Sequence, residues 1–195
     1  DGLANLGLKW TCQSRINSLN EDIVRMMKDC GCMLISCGFE SVNDATLKYL
    51  RKRQTAAQIF AIIDIFERVG MHYTGGFIVA SPNETRQEII NTVRFAQELS
   101  TFPHSHIPPT PLRFVGIPVS ELYYKIIEDG LVEYDWQDGE LLFPRTYAMS
   151  SAAIDGLLAE TCAAAAIADA IGAGRVPGHA DEQRTIVAVV GWPPV

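Results

Sequence analysis

The sequence predicts a parallel α/β fold, and two features carry that prediction. Short apolar runs that suit buried strands alternate with longer segments whose apolar residues recur at helical spacing. A strand and its following helix recur about every 35 to 45 residues, which is typical of repeated βα units. The chain has 195 residues, enough for one domain with its own core.

The first hundred residues contain three predicted strands, and the helices between them have clear boundary signals. The strands are residues 6–12, 33–37 and 73–80. Asn20 is placed to cap a helix that ends before Gly31, and a short helix carries Leu47 and Leu50. Thr55 and Thr85 each begin a capping box. The three longer helices cover residues 21–29, 55–69 and 85–99.

After residue 100 the regular pattern stops. Prolines make residues 100–118 irregular, with one short strand predicted near residues 112–117. A helix over residues 119–129 is expected next, followed by a solvated acidic loop at 128–140 that contains Trp136. The last predicted elements are an Ala-rich helix at 150–171 and a late strand at 185–190.

Composition and charge exclude several classes of function. The net charge is −7, and the acidic excess lies entirely after residue 100, so no basic surface for nucleic acid is expected. An odd number of cysteines, five, favours a reducing compartment, and we expect a cytoplasmic protein. No apolar run reaches the length of a membrane span, and no signal peptide is visible. The first residue is Asp1, which suggests an origin within a longer gene product.

Glu40 follows the central predicted strand directly. Parallel α/β sheets and barrels place their ligand-contacting groups at this position. Gly38, just before it, allows the backbone to approach a ligand closely. As a lone acid, Glu40 is also compatible with helix capping or simple solvation, so its position is the argument for function.

Several motifs occur in order around this strand, and together they resemble a known family. The series is similar to the carboxy-terminal part of a radical S-adenosylmethionine (SAM) enzyme barrel, over residues 8–136. It is most similar to the branch in which a cobalamin-binding domain often precedes the barrel. The resemblance implies a partial (β/α) TIM-type barrel over residues 1–118 and a mostly helical extension over 119–195. The motifs are Trp10-x-Cys12-x-x-Arg15, Gly31-Cys32-x-x-Ile35-x-x-Gly38-x-Glu40-Ser41, Leu47-x-x-Leu50-x-Lys52-x-x-Thr55, Phe77-Ile78-x-x-Ser81-Pro82-x-Glu84-Thr85 and Val115-Gly-Ile-Pro118.

By this resemblance, eight residues would contact or support SAM. Glu40 would accept hydrogen bonds from the ribose hydroxyls, and Lys52 would pair with the methionine carboxylate. Lys52 also lies in a basic run, which is often only a solvated face. The eight residues are Arg15, Gly38, Glu40, Ser41, Lys52, Ala80, Ser81 and Pro82, with Arg15 at the barrel mouth and the last three beside the adenine.

The metal centre of the family has no ligands in this sequence. Its [4Fe–4S] cluster requires C-x₃-C-x₂-C, a spacing that occurs nowhere here, so the ligands are expected outside this chain. Cys30, Cys32 and Cys37 are predicted to be small buried residues. His104 and His106 are not expected to bind metal. Ala80 and Asn83 stand where the family usually has glycine, and Asn83 is expected to tolerate a left-handed turn.

The leading hypothesis is part of a radical SAM enzyme that cleaves SAM reductively and starts radical chemistry, with cobalamin-dependent methylation as one outcome. Its partners would be the missing amino-terminal half of the barrel or a partner subunit, and a small-molecule substrate. This chain alone is expected to be inactive. The alternative is a non-catalytic, degenerate barrel that binds a partner or a small molecule. An ordinary α/β protein with another ligand is also open, because fold does not fix function.

Overall fold

The computed structural model describes residues 7–172 and 186–187, and it confirms the alternation of strands and helices. The strands are β1 (Trp10–Ser14), β2 (Cys32–Glu40), β3 (His72–Val79), β4 (Leu112–Arg113) and β5 (Ile186–Val187). The helices are α1 (Glu21–Asp29), α2 (Asp44–Tyr49), α3 (Ala56–Val69), α4 (Arg86–Leu99), α5 (Glu121–Glu128) and α6 (Ser151–Gly172), with a 3₁₀ turn at Ile16–Ser18.

The strands form one sheet in the order β4-β3-β2-β1-β5, and every pairing is parallel. The central strand β2 pairs with β1 and with β3, so it is covered on both edges. Parallel strands joined by helices have all their carboxyl ends at one edge of the sheet. The loops that follow β1, β2 and β3 therefore share that edge.

Three of the predicted helix starts are confirmed in detail. The Asn20 side chain accepts a hydrogen bond from the backbone N–H of Ile23. Thr55 and Thr85 both form complete capping boxes at the starts of α3 and α4. Gly70 ends α3 in the left-handed conformation, at φ 68°. These signals are local, which explains why the sequence sufficed to find them.

The main core fixes the end of β2 against β3. Phe39 stacks on Phe77 with ring centroids 5.6 Å apart, and Phe66 of α3 stacks on Tyr73 at 5.1 Å. All four side chains are buried. A second cluster joins α4 to α6 through Ile89, Ile90, Val93, Ile154 and Leu157.

Two strand boundaries differ from the prediction. The first strand begins at Trp10 rather than residue 6, where the Trp10 indole N–H donates to the carbonyl of Cys30 at 2.8 Å. The central strand is longer than residues 33–37 and reaches Glu40, because an irregularity in its pairing with β3 carries it past Gly38. Glu40 is thus the last residue of the strand rather than the start of a loop.

The prediction of a fully solvated loop at 128–140 is wrong in part. Leu131 is buried against α5, and Trp136 packs edge-on against Tyr123 with centroids 6.4 Å apart. Apolar side chains among the acids let this segment form a third small core with α5. The acids themselves stay near the surface.

The proline-rich segment is an interrupted strand alongside β3. Ser105 bridges Tyr73, and Leu112 pairs with Ile78, both in parallel. The proline-rich segment has two more residues between these two contacts than β3 has, so it bulges outward at the prolines. Only Leu112–Arg113 then qualifies as the short strand predicted near 112–117. None of the described helices combines the length and hydropathy that a membrane span requires.

Candidate functional site

The carboxyl ends of β2 and β3 lie side by side, and a loop over residues 50–55 packs onto them. We call this region the strand-end site. Gly38 pairs with Gly76, and beyond the irregularity Glu40 pairs with Phe77. Three sequence-predicted residues, Gly38, Glu40 and Lys52, meet here.

Glu40 is held in an unusual conformation over the end of β2. Its φ is 70°, in the left-handed region, and only 11% of its side chain is exposed. The carboxylate bends back over Gly38: a Cβ built on Gly38 would lie 2.6 Å from Glu40 Oε1. Glycine at position 38 therefore makes room for this carboxylate, which is a more specific role than close approach to a ligand.

Lys52 contacts that carboxylate directly, with Nζ 2.7 Å from Glu40 Oε1. Its neighbours Arg51 and Arg53 are both left-handed, with φ of 54° and 50°. Strained backbone of this kind persists where the surrounding structure fixes it, and it clusters at functional sites. The three basic residues are exposed, as on a solvated face, but their backbone turns sharply and Lys52 reaches Glu40.

Two amides hold this loop in place, and neither was predicted. Gln54 Nε2 donates to the carbonyls of Gly38 and Phe39 at 2.9 and 3.0 Å. Asn17 Nδ2, from the turn after β1, donates to the carbonyl of Arg53 at 2.7 Å. Their positions in the sequence give no signal, because both contacts depend on how distant segments pack.

Behind the strand-end site, Glu84 forms the centre of a buried polar cluster. Its carboxylate accepts hydrogen bonds from the Ser81 N–H at 2.9 Å, the Thr46 hydroxyl at 3.3 Å and the Ser41 hydroxyl at 3.5 Å. Glu84 is fully buried, and burial raises the pKa of its carboxyl to about 7. Glu84 stands in the quoted motif three residues after Ser81, but the sequence assigned it no role.

Ser41 and Ser81, both predicted to contact the cofactor, have side chains buried within this region. The Ser41 hydroxyl bonds to Glu84 and also lies 3.3 Å from the Thr92 hydroxyl of α4. The Ser81 hydroxyl is buried with no hydrogen-bond partner. Both residues are fully buried, so this structure leaves neither of them open to a ligand.

Ala80 and Pro82 complete the end of β3. Ala80 is fully buried and left-handed, with φ 63°, which accounts physically for the glycine usual in the family. Asn83 is not among the described residues with positive φ, so the expected left-handed turn there is wrong. The Pro82 carbonyl accepts a hydrogen bond from the Tyr147 N–H at 2.8 Å, which ties the later chain to this site.

Arg15 lies one strand away from Glu40. It directly follows β1, is exposed, and precedes the 3₁₀ turn at Ile16–Ser18. Arg15 thus stands at the carboxyl edge of the sheet. Its place at the mouth of a barrel stays a prediction.

The cysteines and histidines lie elsewhere. Cys32 and Cys37 are buried as predicted, whereas Cys30 is half-exposed at the end of α1. His104 Nδ1 lies 2.9 Å from Glu67 Oε2 and His106 Nε2 lies 3.1 Å from His72 Nδ1, at the opposite end of β3. Among residues 7–172 and 186–187, no group of three or more His, Cys, Asp or Glu side chains could hold a metal ion.

An open cleft of about 680 Å³ adjoins the loop of the strand-end site, but neither Glu40 nor Lys52 is among the residues that line it. Its lining residues are Asp44, Leu47, Lys48, Arg51, Arg53, Gln54, Thr55 and Gln58.

Comparison with known proteins agrees with this geometry. The sequence model of the Radical SAM superfamily matches residues 4–96. An uncharacterised methyltransferase of Pyrococcus horikoshii is 35% identical over 94 residues, which are 48% of this chain and 20% of that protein. A bacteriochlorophyllide d C-12(1)-methyltransferase of Chlorobaculum tepidum is 27% identical over 140 residues, 70% of this chain and 29% of that protein. The chain therefore spans less than a third of either relative.

Among solved structures, coproporphyrinogen III oxidase of Escherichia coli, described as a radical SAM enzyme, shares the fold. It aligns with a TM-score of 0.54 over 82% of this chain and 32% of that chain, at 15% identity. The predicted parallel α/β class is confirmed, and this likeness supports the sheet as part of a barrel. The matched segment contains β1, β2, β3 and most of α4. Residues 4–96, slightly less than half of the chain, are therefore similar to the Radical SAM superfamily.

Proposed function

We propose that this chain forms part of the SAM-binding pocket of a radical SAM enzyme, at the strand-end site. One observation carries the proposal: Glu40, at the end of the central strand, bends over Gly38 and presents a nearly buried carboxylate at the ligand-binding edge of the sheet. A carboxylate offers only acceptors, which suits the two hydroxyls of a ribose. By the family resemblance, Ala80, Ser81 and Pro82, which are buried at the end of β3, would lie near the adenine.

The iron–sulfur cluster does not fit this chain. The sequence lacks C-x₃-C-x₂-C, and Cys12, Cys30 and Cys32 lie on or beside β1, α1 and β2 instead of in one loop. We therefore assign the cluster ligands to the missing amino-terminal half of the barrel or to a partner subunit. In the complete enzyme, SAM bound at such a cluster would supply the reductive cleavage that starts radical chemistry. The isolated chain is expected to lack that reaction.

Methyl transfer to a small molecule is the outcome that we favour. Two relatives carry methyltransferase in their names, and one of them covers 70% of this chain. Use of cobalamin rests on the resemblance of the motifs to the cobalamin-associated branch. A cytoplasmic setting is part of the same proposal, and it is supported by the free thiols of Cys12, Cys30, Cys32 and Cys37.

Titration calorimetry with SAM on the full-length gene product tests the proposal. The wild type should bind SAM, and Glu40→Gln should weaken that affinity about tenfold or more, because a charged acceptor of hydrogen bonds is lost. Glu98→Gln, an exposed acid near the end of α4, is the matched control and should leave the affinity unchanged. Equal affinities for wild type and Glu40→Gln would contradict the proposal.

The coding sequence upstream of residue 1 distinguishes the proposed enzyme from the non-catalytic alternative. A C-x₃-C-x₂-C motif within about 100–120 residues before it, the length of two to three βα units, favours the enzyme. A start codon directly at this position favours a degenerate barrel module, whose acidic second half would then be the natural interaction surface.

A further inference from the structure

Lys52 has a contact that the family resemblance does not explain. The resemblance gives Lys52 to the methionine carboxylate of SAM, yet its ammonium lies 2.7 Å from the carboxylate of Glu40. The contact uses Oε1, the same oxygen that lies over Gly38. Oε1 is therefore the Glu40 oxygen nearest to the Lys52 ammonium.

Hydrogen bonds and two left-handed residues fix the loop that carries Lys52. Lys52 is fixed by its own N–H, which donates to the carbonyl of Leu47 at 3.0 Å. Gln54, two residues later, anchors the loop to the very strand that carries Glu40. The left-handed residues on either side, Arg51 and Arg53, turn the chain sharply around Lys52. Loop and strand end thus form one unit.

The contact also differs from an ordinary surface ion pair in the same loop. Arg51 pairs with Glu121, and both side chains are more than 70% exposed, so solvent screens that pair strongly. In the Lys52–Glu40 pair the side chains are only 40% and 11% exposed. Removing Lys52 would leave Glu40 as a largely buried carboxylate without its cation, which would then favour rotating outward to water.

We infer that Lys52 is a positioning residue for Glu40: its ammonium holds Oε1 in place so that Oε2 accepts the ribose hydroxyls. The inference rests on the proposed function and assigns Lys52 a task at the nucleoside end of the ligand. Lys52 then acts on any ligand that carries the ribose, whether or not it carries an amino-acid carboxylate.

Two ligands separate this role from direct binding of the methionine carboxylate. SAM carries both the ribose and the carboxylate, whereas 5′-methylthioadenosine carries only the ribose and adenine. Calorimetric affinities of both are measured for wild type, Lys52→Met, Lys52→Arg and Lys48→Met. Lys48 lies one helical turn earlier on α2, is exposed, and serves as the matched control.

We expect Lys52→Met to weaken binding of both ligands by a similar factor, about tenfold, as loss of a charge-assisted hydrogen bond would. Lys52→Arg should recover most of the affinity for 5′-methylthioadenosine, and Lys48→Met should change neither ligand. In a Glu40→Gln background, Lys52→Met should add little further loss, because the residue it positions is already absent.

A loss confined to SAM, with unchanged affinity for 5′-methylthioadenosine, would overturn the inference and leave the proposed function intact. Additive losses from the two substitutions would also overturn it. If the wild type binds neither ligand, the proposed function fails and the inference fails with it. Near-UV and far-UV circular dichroism of each variant tests whether the fold is retained. If Lys52→Met disturbs the loop, the affinities for the two ligands are compared in Lys52→Arg instead.

Discussion

Two glutamates at neighbouring strand ends have opposite surroundings. Glu40, at the end of β2, keeps 11% of its side chain open to solvent and pairs with the Lys52 ammonium. Glu84, after β3, is fully buried and is met by one backbone N–H and two hydroxyls. Burial without a cation raises the pKa of Glu84 to about 7. The same functional group is therefore the proposed ligand acceptor in one place and a structural centre in the other.

The difference follows from what the neighbouring elements offer. The β2 side has a glycine below the carboxylate and a basic loop above it, so charge is tolerated at the surface. Around Glu84, buried hydroxyls come from Ser41 after β2 and from Thr46 of α2, so charge is costly there and hydrogen bonds replace a cation. We therefore expect substitutions of Glu84 to change mainly stability and substitutions of Glu40 to change mainly ligand binding.

The largest expected effect is on folding. At pH 5, Glu84→Ala should lower the free energy of unfolding by about 3–4 kcal/mol, since it opens a cavity and leaves a buried N–H unpaired. Glu40→Ala should cost less, about 1 kcal/mol, because the Lys52 ammonium that loses its partner is 40% exposed and can turn to water. Urea denaturation followed by circular dichroism measures both. Similar losses in the free energy of unfolding for the two variants would contradict the proposed difference between Glu40 and Glu84.

The next effect is a dependence of stability on pH. The folded-state pKa of Glu84, about 7, lies above its ordinary value of 4.5, so the folded protein holds a proton that the unfolded chain has released. The contribution to stability is complete below pH 4.5 and is lost as the pH rises through 7, by about 3 kcal/mol in all.

Glu84→Gln should remove this dependence. Its amide oxygen can accept from the Ser81 N–H and its amide nitrogen can donate to the Ser41 or Thr46 hydroxyl. Urea midpoints at pH 5 and pH 8 should then differ less for Glu84→Gln than for wild type. Arg25 and Arg68 lower the pKa of Glu21, and the Tyr147 hydroxyl followed by Lys125 lowers the pKa of Asp129, so both acids act at more acidic pH, outside this window. An unchanged pH profile in Glu84→Gln would show that another group is responsible.

A smaller effect concerns binding alone. A methyl group at Gly38 would meet Glu40 Oε1 at 2.6 Å, the movable end of a side chain, so Gly38→Ala should displace the carboxylate at little cost to folding. Affinity for 5′-methylthioadenosine should fall about tenfold. Gly76→Ala is the matched control on β3, since nothing lies within 4 Å of a Cβ there. Unimpaired binding by Gly38→Ala would show that Gly38 does not determine where the Glu40 carboxylate lies.

The smallest effect is expected at Ala80. Glycine pays no steric penalty in the left-handed region, which costs other residues about 1–2 kcal/mol, and its greater flexibility when unfolded offsets part of that gain. Ala80→Gly should therefore raise the free energy of unfolding by about 0.5–1 kcal/mol. Thermal and urea denaturation at one pH provide the measurement. Destabilisation instead would mean that the alanine methyl contributes more through packing than it costs in strain.

The sequence reveals those features that depend on short stretches of chain. Asn20, Thr55 and Thr85 cap their helices as predicted, because a cap and its partner lie within three residues. Glu40 could be singled out for its place after an apolar run. The Lys52 contact, the clamp by Gln54 and the burial of Glu84 could not be predicted, because each joins residues whose proximity depends on the packing of separate βα units.

The prolines that come just before β4 affect how the edge of the sheet can meet another molecule. Three of the four residues just before Leu112 are Pro108, Pro109 and Pro111, and none of them carries an N–H. A second molecule that tried to lengthen the sheet along this side would find donors missing and the chain bulged outward. The outer flank of the sheet is thereby protected against edge-to-edge aggregation.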